Sequence, residues 1–222
     1  MTIIIDFRLF VSGFVLIWTG CAPPIQTLEI YNNGQPKLAR EYKVTSTGRG
    51  KDSITVKLIK YHRNGMKHYQ QDIVNNQMNG QYVSWHSTGV KSAKGKYLNG
   101  ELFDKWIWWG KDGLPDSIRT FKNQMLHGEY INYFGNGKPN ELMEYAENKK
   151  YGYYMELDEK GGKVSIGEYR NDIPHGNWVW WQNRIKTREL TYENGLKNGP
   201  FRIYDKLGKK KIIGQYKNDK KD

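Results

Sequence analysis

From residue 30 onward, apolar and polar residues alternate in short runs. Gly128-Glu-Tyr-Ile-Asn-Tyr-Phe134 is one run and Glu141-Leu-Met-Glu-Tyr-Ala146 the next, with the turn residues Gly135-Asn-Gly-Lys138 between them. An alternation of period two is that of a strand whose successive side chains point to opposite faces. Two such runs joined by a glycine turn predict a β-hairpin. No stretch beyond the leader sustains a helical period, so the chain is expected to be all-β.

The hairpins repeat. Gly65, Gly89, Gly113, Gly137 and Gly161 follow one another at intervals of 24 residues. A second series, Gly80, Gly128, Gly152 and Gly176, keeps the same period with Asp104 in its gap. Three side-chain columns share the phase: Tyr82, Trp106, Tyr130, Tyr154 and Trp178; Trp85, Trp109, Tyr133, Leu157 and Trp181; and Ile73, Tyr97, Phe121, Tyr145 and Tyr169. Toward the C-terminus, Tyr192, Gly199, Phe201 and Tyr204 continue the pattern after one residue is lost near Asn183. Toward the N-terminus, Tyr31, Gly34 and Tyr42 open a first unit lengthened by about seven residues around Thr45–Gly50.

Asn-Gly occurs seven times, ending at Gly34, Gly65, Gly80, Gly100, Gly137, Gly195 and Gly199. The dipeptide predicts type I′ turns, which need positive φ at both central residues. A lone hairpin is marginal in water, so the units are expected to stack edge to edge, each aromatic column becoming a cross-strand ladder. The expected fold is an elongated single-sheet stack of antiparallel β-hairpin repeats, one to each period of the glycine series. Seven repeats over residues 30–222 would make a ribbon of roughly 65–70 Å.

The N-terminal stretch MTIIIDFRLFVSGFVLIWTGC differs in kind: an uncharged, mostly apolar run, Leu9–Gly20, follows Arg8 and leads to the only cysteine. The run is too short to span a bilayer, which takes roughly 20 apolar residues, and suits a signal-peptide core. Thr19-Gly20-Cys21 resembles the lipobox of bacterial lipoproteins, which implies cleavage after residue 20 and acylation of Cys21. Residues 21–29 are then a tether to the bilayer, since several acyl chains together give stable anchoring. Ala22 rather than Asp after the cysteine leans toward the outer membrane where the cell has one.

The repeated unit is written out in Tyr169-Arg-Asn-Asp-Ile-Pro-His-Gly176-Asn-Trp178-Val-Trp-Trp181 and again in Tyr192-Glu-Asn-Gly-Leu-Lys-Asn-Gly199-Pro-Phe201-Arg-Ile-Tyr204. These residues resemble the MORN-repeat variant family, the group labelled YwqK-like antitoxins. The resemblance extends over the whole repeat region, departs at Asp104 and at the first unit's insertion, and implies fold more than activity. Its label implies one function: an antitoxin-like protein that neutralises a partner toxin by binding. Export of a lipidated chain opposes that reading, because a cytosolic toxin would not meet it.

Composition and charge refine this picture. With 31 aromatics among 222 residues, the chain is far from a disordered composition. One cysteine excludes an internal disulfide and paired-cysteine metal sites. His127 and His175 share a repeat phase two units apart, ~19 Å, too far to share an ion. No HExxH, G-x-S-x-G, Walker loop or G-x-G-x-x-G is present. Neither catalysis, nor a cofactor, nor a metal is expected.

The tryptophans stand out. Trp106-Ile-Trp108-Trp109 and Trp178-Val-Trp180-Trp181 recur three repeats apart, and the positions matching Trp108 and Trp180 elsewhere are Ser84, Asn132 and Glu156. A column polar in other repeats predicts solvent-facing rings at Trp108 and Trp180, on the face of Trp106 and Trp178. These four residues are the candidate binding face, for a protein or an envelope polymer. The formal charge of +12 includes a lysine-rich C-terminus from Lys206 to Lys221. Lysines guard an open sheet edge, and an envelope location argues against nucleic acid as partner. The expectation is a non-enzymatic, lipid-anchored cell-envelope protein that presents an extended aromatic and basic face.

Overall fold

The computed structural model describes residues 23–47 and 50–221. The leader and Cys21 lie outside the described residues, as do residues 48, 49 and 222. All described regular structure is β, in 18 strands, and the strand pairings within each unit are antiparallel. The chain forms two units, the first comprising residues up to 101 with 111–113, the second 102–110 with 114 onward.

In the first unit, β1 (Ile25–Ile30), β2 (Pro36–Thr47), β3 (Gly50–Tyr61), β4 (Lys67–Val74), β5 (Gln77–Trp85) and β6 (Lys91–Leu98) pair in sequence order. The extra residues of the first repeat lengthen the β2–β3 hairpin, whose arms are 12 residues each where β4 and β6 have 8. In the second unit the order continues with β7 (Glu101–Trp109), β8 (Pro115–Lys122), β9 (Met125–Tyr133), β10 (Pro139–Ala146), β11 (Lys149–Leu157) and β12 (Lys163–Arg170). It ends with β13 (Ile173–Gln182), β14 (Ile185–Glu193), the short β15 (Leu196–Lys197), β16 (Gly199–Tyr204), β17 (Lys210–Lys217) and the short β18 (Lys220–Lys221).

Two turns alternate, and the distinction corrects the expectation drawn from Asn-Gly. The first glycine series closes five-residue loops. In the earliest of them, Tyr31 N–H donates to Gln35 O at 2.8 Å and Gly34 N–H to Tyr31 O at 2.9 Å. The same pair of bonds recurs around Gly65, Gly89, Gly137, Gly161 and Gly208. Only the glycine has positive φ (82° at Gly34), so this is a type I turn followed by a left-handed residue. Asn33, Asn64 and Asn136 stay at negative φ and use their side chains instead. Each accepts the N–H two residues on with Oδ1, and each donates from Nδ2 to a carbonyl of the following repeat, as from Asn64 to Ser87 at 2.7 Å.

The type I′ turns lie at the other end of the strands. Positive φ at two successive residues occurs at Asn75-Asn76, Asn123-Gln124, Glu147-Asn148, Asn171-Asp172 and Asn218-Asp219, and with glycine second at Asn99-Gly100 and Asn194-Gly195. The residue lost near Asn183 has a local consequence: Asn183-Arg184 (φ 51° and 65°) forms a two-residue turn where a five-residue loop stands in the other repeats.

The second glycine series makes no turn. Gly80, Gly128, Gly152, Gly176 and Gly199 have φ from 66° to 115° inside or at the start of strands, each a bulge. Asp104 takes the same conformation at φ 60°, which Asp tolerates better than most side chains. The third aromatic column faces these bulges: Tyr97 pairs with Gly80, Phe121 with Asp104, Tyr145 with Gly128, Tyr169 with Gly152, Tyr192 with Gly176 and Tyr216 with Gly199. A ring opposite a bare backbone covers what the glycine leaves open.

Candidate binding face

The candidate residues lie in the second unit. Strand alternation puts Trp106 and Trp108 of β7 on the same face as Trp178 and Trp180 of β13. Across that face, Trp106 opposes Arg119, Arg119 opposes Tyr130, Tyr130 opposes Met143, and Met143 opposes Tyr154. Tyr154 then opposes Gly167, and Trp178 opposes Leu190. Large and small groups interdigitate here: a Cβ at Gly167 would run into the Trp178 indole. Met143, Tyr154 and Trp178 form the buried cluster, with Tyr130, Tyr145, Tyr169, Trp180 and Tyr192 packed around it.

Trp106 and Trp178 are therefore core, at 3% and 5% exposure. Trp108 and Trp180 are half-buried rather than open rings. Each lies parallel to its inner neighbour, Trp108 on Trp106 and Trp180 on Trp178, at 5.7 Å between centroids in both cases. Each also carries an arginine. The Arg119 guanidinium is 5.2 Å from the Trp108 ring and 5.4 Å from Tyr130, and that of Arg188 is 4.2 Å from Trp180. The expectation of solvent-facing indoles fails because stacking and the cation–π contact occupy the rings, while the polar residues at the matching positions of other repeats have neither.

Between the two outer tryptophans the next row is polar. Trp108 opposes Ser117, followed by Asn132, Glu141, Glu156, Ser165 and then Trp180. Ser117 and Ser165 are almost fully buried, Ser165 Oγ donates to Glu156 at 2.8 Å, and the Tyr154 hydroxyl donates to Glu141 at 3.1 Å. Burial first, and the negative charges of Glu141 and Glu156 after it, push the Tyr154 hydroxyl well above the usual tyrosine range. Tyr169 shifts the same way for the same reasons. Both phenols stay protonated, and that of Tyr154 acts as a donor toward the carboxylate row.

In the first unit His62 and His68 stack at 4.4 Å between ring centroids, and His62 Nε2 donates to Trp85 O at 2.9 Å. Burial first, then His62 and Lys60, lowers the pKa of His68. Among the described residues no group of three or more His, Cys, Asp or Glu side chains is placed to hold a metal ion. Among them, no helix is long and apolar enough to cross a membrane, which leaves membrane-spanning strands unaddressed.

The two arginines were not found from the sequence. Arg119 stands opposite Trp106 and reaches Trp108 diagonally, whereas Arg188 stands directly opposite Trp180. They come from different repeat columns, so no periodicity connects them. No family model matches the chain, and no curated protein matches its sequence.

Proposed function

We propose that this is a lipid-anchored, non-enzymatic repeat protein whose aromatic and basic face binds a protein or an envelope polymer. The observation that supports it most is the placement of the two paired tryptophan stacks on one face of one unit. Six strand steps separate them, roughly 29 Å, more than one small molecule bridges. A tether at Cys21 would hold that face near the membrane and raise its effective concentration toward other envelope components. The resemblance to MORN-repeat variant proteins agrees with a binding role and names no ligand.

The test has two arms. Acyl labelling and fractionation of the wild type and Cys21→Ala should show label and membrane recovery only in the wild type. Capture of purified envelope polymers and of crosslinked membrane proteins should fall in the Trp108→Ser, Trp180→Ser double variant while the far-UV spectrum is kept. Equal capture by that variant removes this face as the binding surface.

A further inference from the structure

The tryptophan stacks do more than present rings. Trp108 stacks on Trp106 and has the Arg119 guanidinium 5.2 Å from its ring, and Trp180 stacks on Trp178 and has that of Arg188 4.2 Å from its ring. Both contacts compete with a sugar ring for the outer indole. Each stack also sets a guanidinium on the candidate face. Arg188 is exposed, and no carboxylate or carbonyl of the described residues pairs with either group. In Arg119 the Nε is buried without a hydrogen-bond partner, so the two Nη groups are what it offers to a ligand. An arginine held against an aromatic face keeps its donor fork intact and loses little further freedom when it binds.

We infer, resting on the binding-face reading above, that these two arginines are anion-reading stations and that the ligand is an acidic polysaccharide. The charge pattern selects that class. Arg119 on β8 and Arg188 on β14 stand six strand steps apart, roughly 29 Å. Between them are Glu141 and Glu156, opposed on adjacent strands, with Asn132 and Ser165 beside them. A ligand lying across the face must place anionic groups at the two ends and hydrogen-bond donors in the middle. A glycan with carboxylate or phosphate substituents does both, because its hydroxyls donate to the two glutamates. A nucleic acid strand would bring phosphates onto Glu141 and Glu156, and an anionic lipid surface would press charge against the whole row. The basic excess of the chain, +12, favours approach of an anionic polymer in general; the two glutamates decide which kind.

The experiment measures binding of the full chain to polygalacturonate in which most carboxyls are methyl-esterified, so that the free carboxylates are widely spaced (polygalacturonate below), to its fully methyl-esterified form (the ester below), and to an oligo-dT strand, by titration calorimetry at low and physiological salt. The wild type is expected to bind polygalacturonate, to bind the ester and the oligo-dT far more weakly, and to lose affinity as salt rises. Arg119→Gln with Arg188→Gln should lower polygalacturonate affinity by about tenfold or more, as loss of charge-assisted bonds does. The lysine pair, Arg119→Lys with Arg188→Lys, keeps charge and ring contact but not the fork and should lose several-fold; it also serves if the glutamine pair melts early. Glu141→Gln with Glu156→Gln should strengthen binding of oligo-dT. Equal binding of the ester, or an arginine double variant that binds as the wild type does, overturns the anion-reading role while leaving a polymer-binding face intact. Oligo-dT bound as tightly as polygalacturonate overturns the charge-spacing argument in favour of nucleic acid. Failure of the wild type to bind polygalacturonate overturns the inference, and the polymer and crosslinking capture above then decides separately whether the face binds anything else.

Discussion

Asp172 clips its repeat to the one before it: its carboxylate accepts the Lys150 N–H at 2.8 Å, and its own N–H donates to Lys150 O at 3.0 Å. The separation is 22 residues. Asn148 holds Leu126 in the same way, and Asp219 holds Lys197. At Gly195 the pattern breaks on both sides. Gly195, which has no side chain to accept a bond, faces Pro174, which has no N–H to give, and only the bond from Gly195 N–H to Pro174 O remains.

Replacing Asp172 separates two costs. Asp172→Gly removes the side-chain bond and keeps the left-handed backbone (φ 66°), so about 1 kcal/mol should go. Asp172→Ala should lose a further ~1 kcal/mol, because alanine resists that conformation. Urea unfolding of the two variants checks the order; equal stabilities would mean that the turn conformation contributes nothing.

The bulge glycines predict a sharp contrast within one repeat. Gly152 sits at φ 83°, and a Cβ there would meet the Glu144 carboxylate. Gly152→Ala should cost about 2 kcal/mol or more from backbone strain and crowding together. Gly135 is at negative φ with open space around it. Gly135→Ala should be neutral or stabilising by about 0.5 kcal/mol, since it restricts only the unfolded chain. Paired thermal melts of the two variants give the comparison directly.

The hairpin fold was legible because its signals are periodic. A glycine recurring once per repeat and aromatics in phase leave few alternatives, and the lost residue near Asn183 marked the place where the turn changes. The conformation of each Asn-Gly was not legible, because one dipeptide serves three roles. It closes a five-residue loop at Asn64-Gly65, a type I′ turn at Asn99-Gly100, and sits at a bulge at Asn79-Gly80. Position within the repeat, not the dipeptide, decides among them. The accessibility of Trp108 and Trp180 was misread for a related reason: the column rule treats every member alike, and only these two members have an inner tryptophan to stack on and an arginine to cover them.

Glu189 gives a pH prediction. Burial works to raise its pKa, but hydrogen bonds from Lys186, Tyr204 and Arg202 win, and hold it at about 2 against the ordinary 4.5. The Lys186 and Arg202 contacts are 2.6 and 3.0 Å. A carboxylate with a depressed folded pKa stabilises the fold above its unfolded pKa and loses that contribution as pH falls through the folded value. Stability should therefore decline between about pH 4.5 and pH 2 by more in the wild type than in Glu189→Gln. At pH 7 the variant should be less stable by roughly 1 kcal/mol. Urea midpoints measured across that range test the sign, and parallel curves for the two proteins would contradict it.

The contact between Gly167 and Trp178 tests the packing of the face itself. The indole lies over the bare glycine backbone of the neighbouring strand, its Nε1–H donates to Glu168 O at 3.2 Å, and the ring is 5% exposed. Trp178→Ala should cost about 3–5 kcal/mol as a buried aromatic truncation. Gly167→Ala should cost about 1–3 kcal/mol by overpacking, because a methyl cannot enter without moving the ring. If the ring is what the methyl meets, the two changes must be coupled. Combining Gly167→Ala with Trp178→Phe, whose smaller ring makes room, should cost less than the sum of the single changes by more than about 0.5 kcal/mol. Simple additivity in that double-mutant cycle would place the Gly167 requirement in the backbone rather than under the indole.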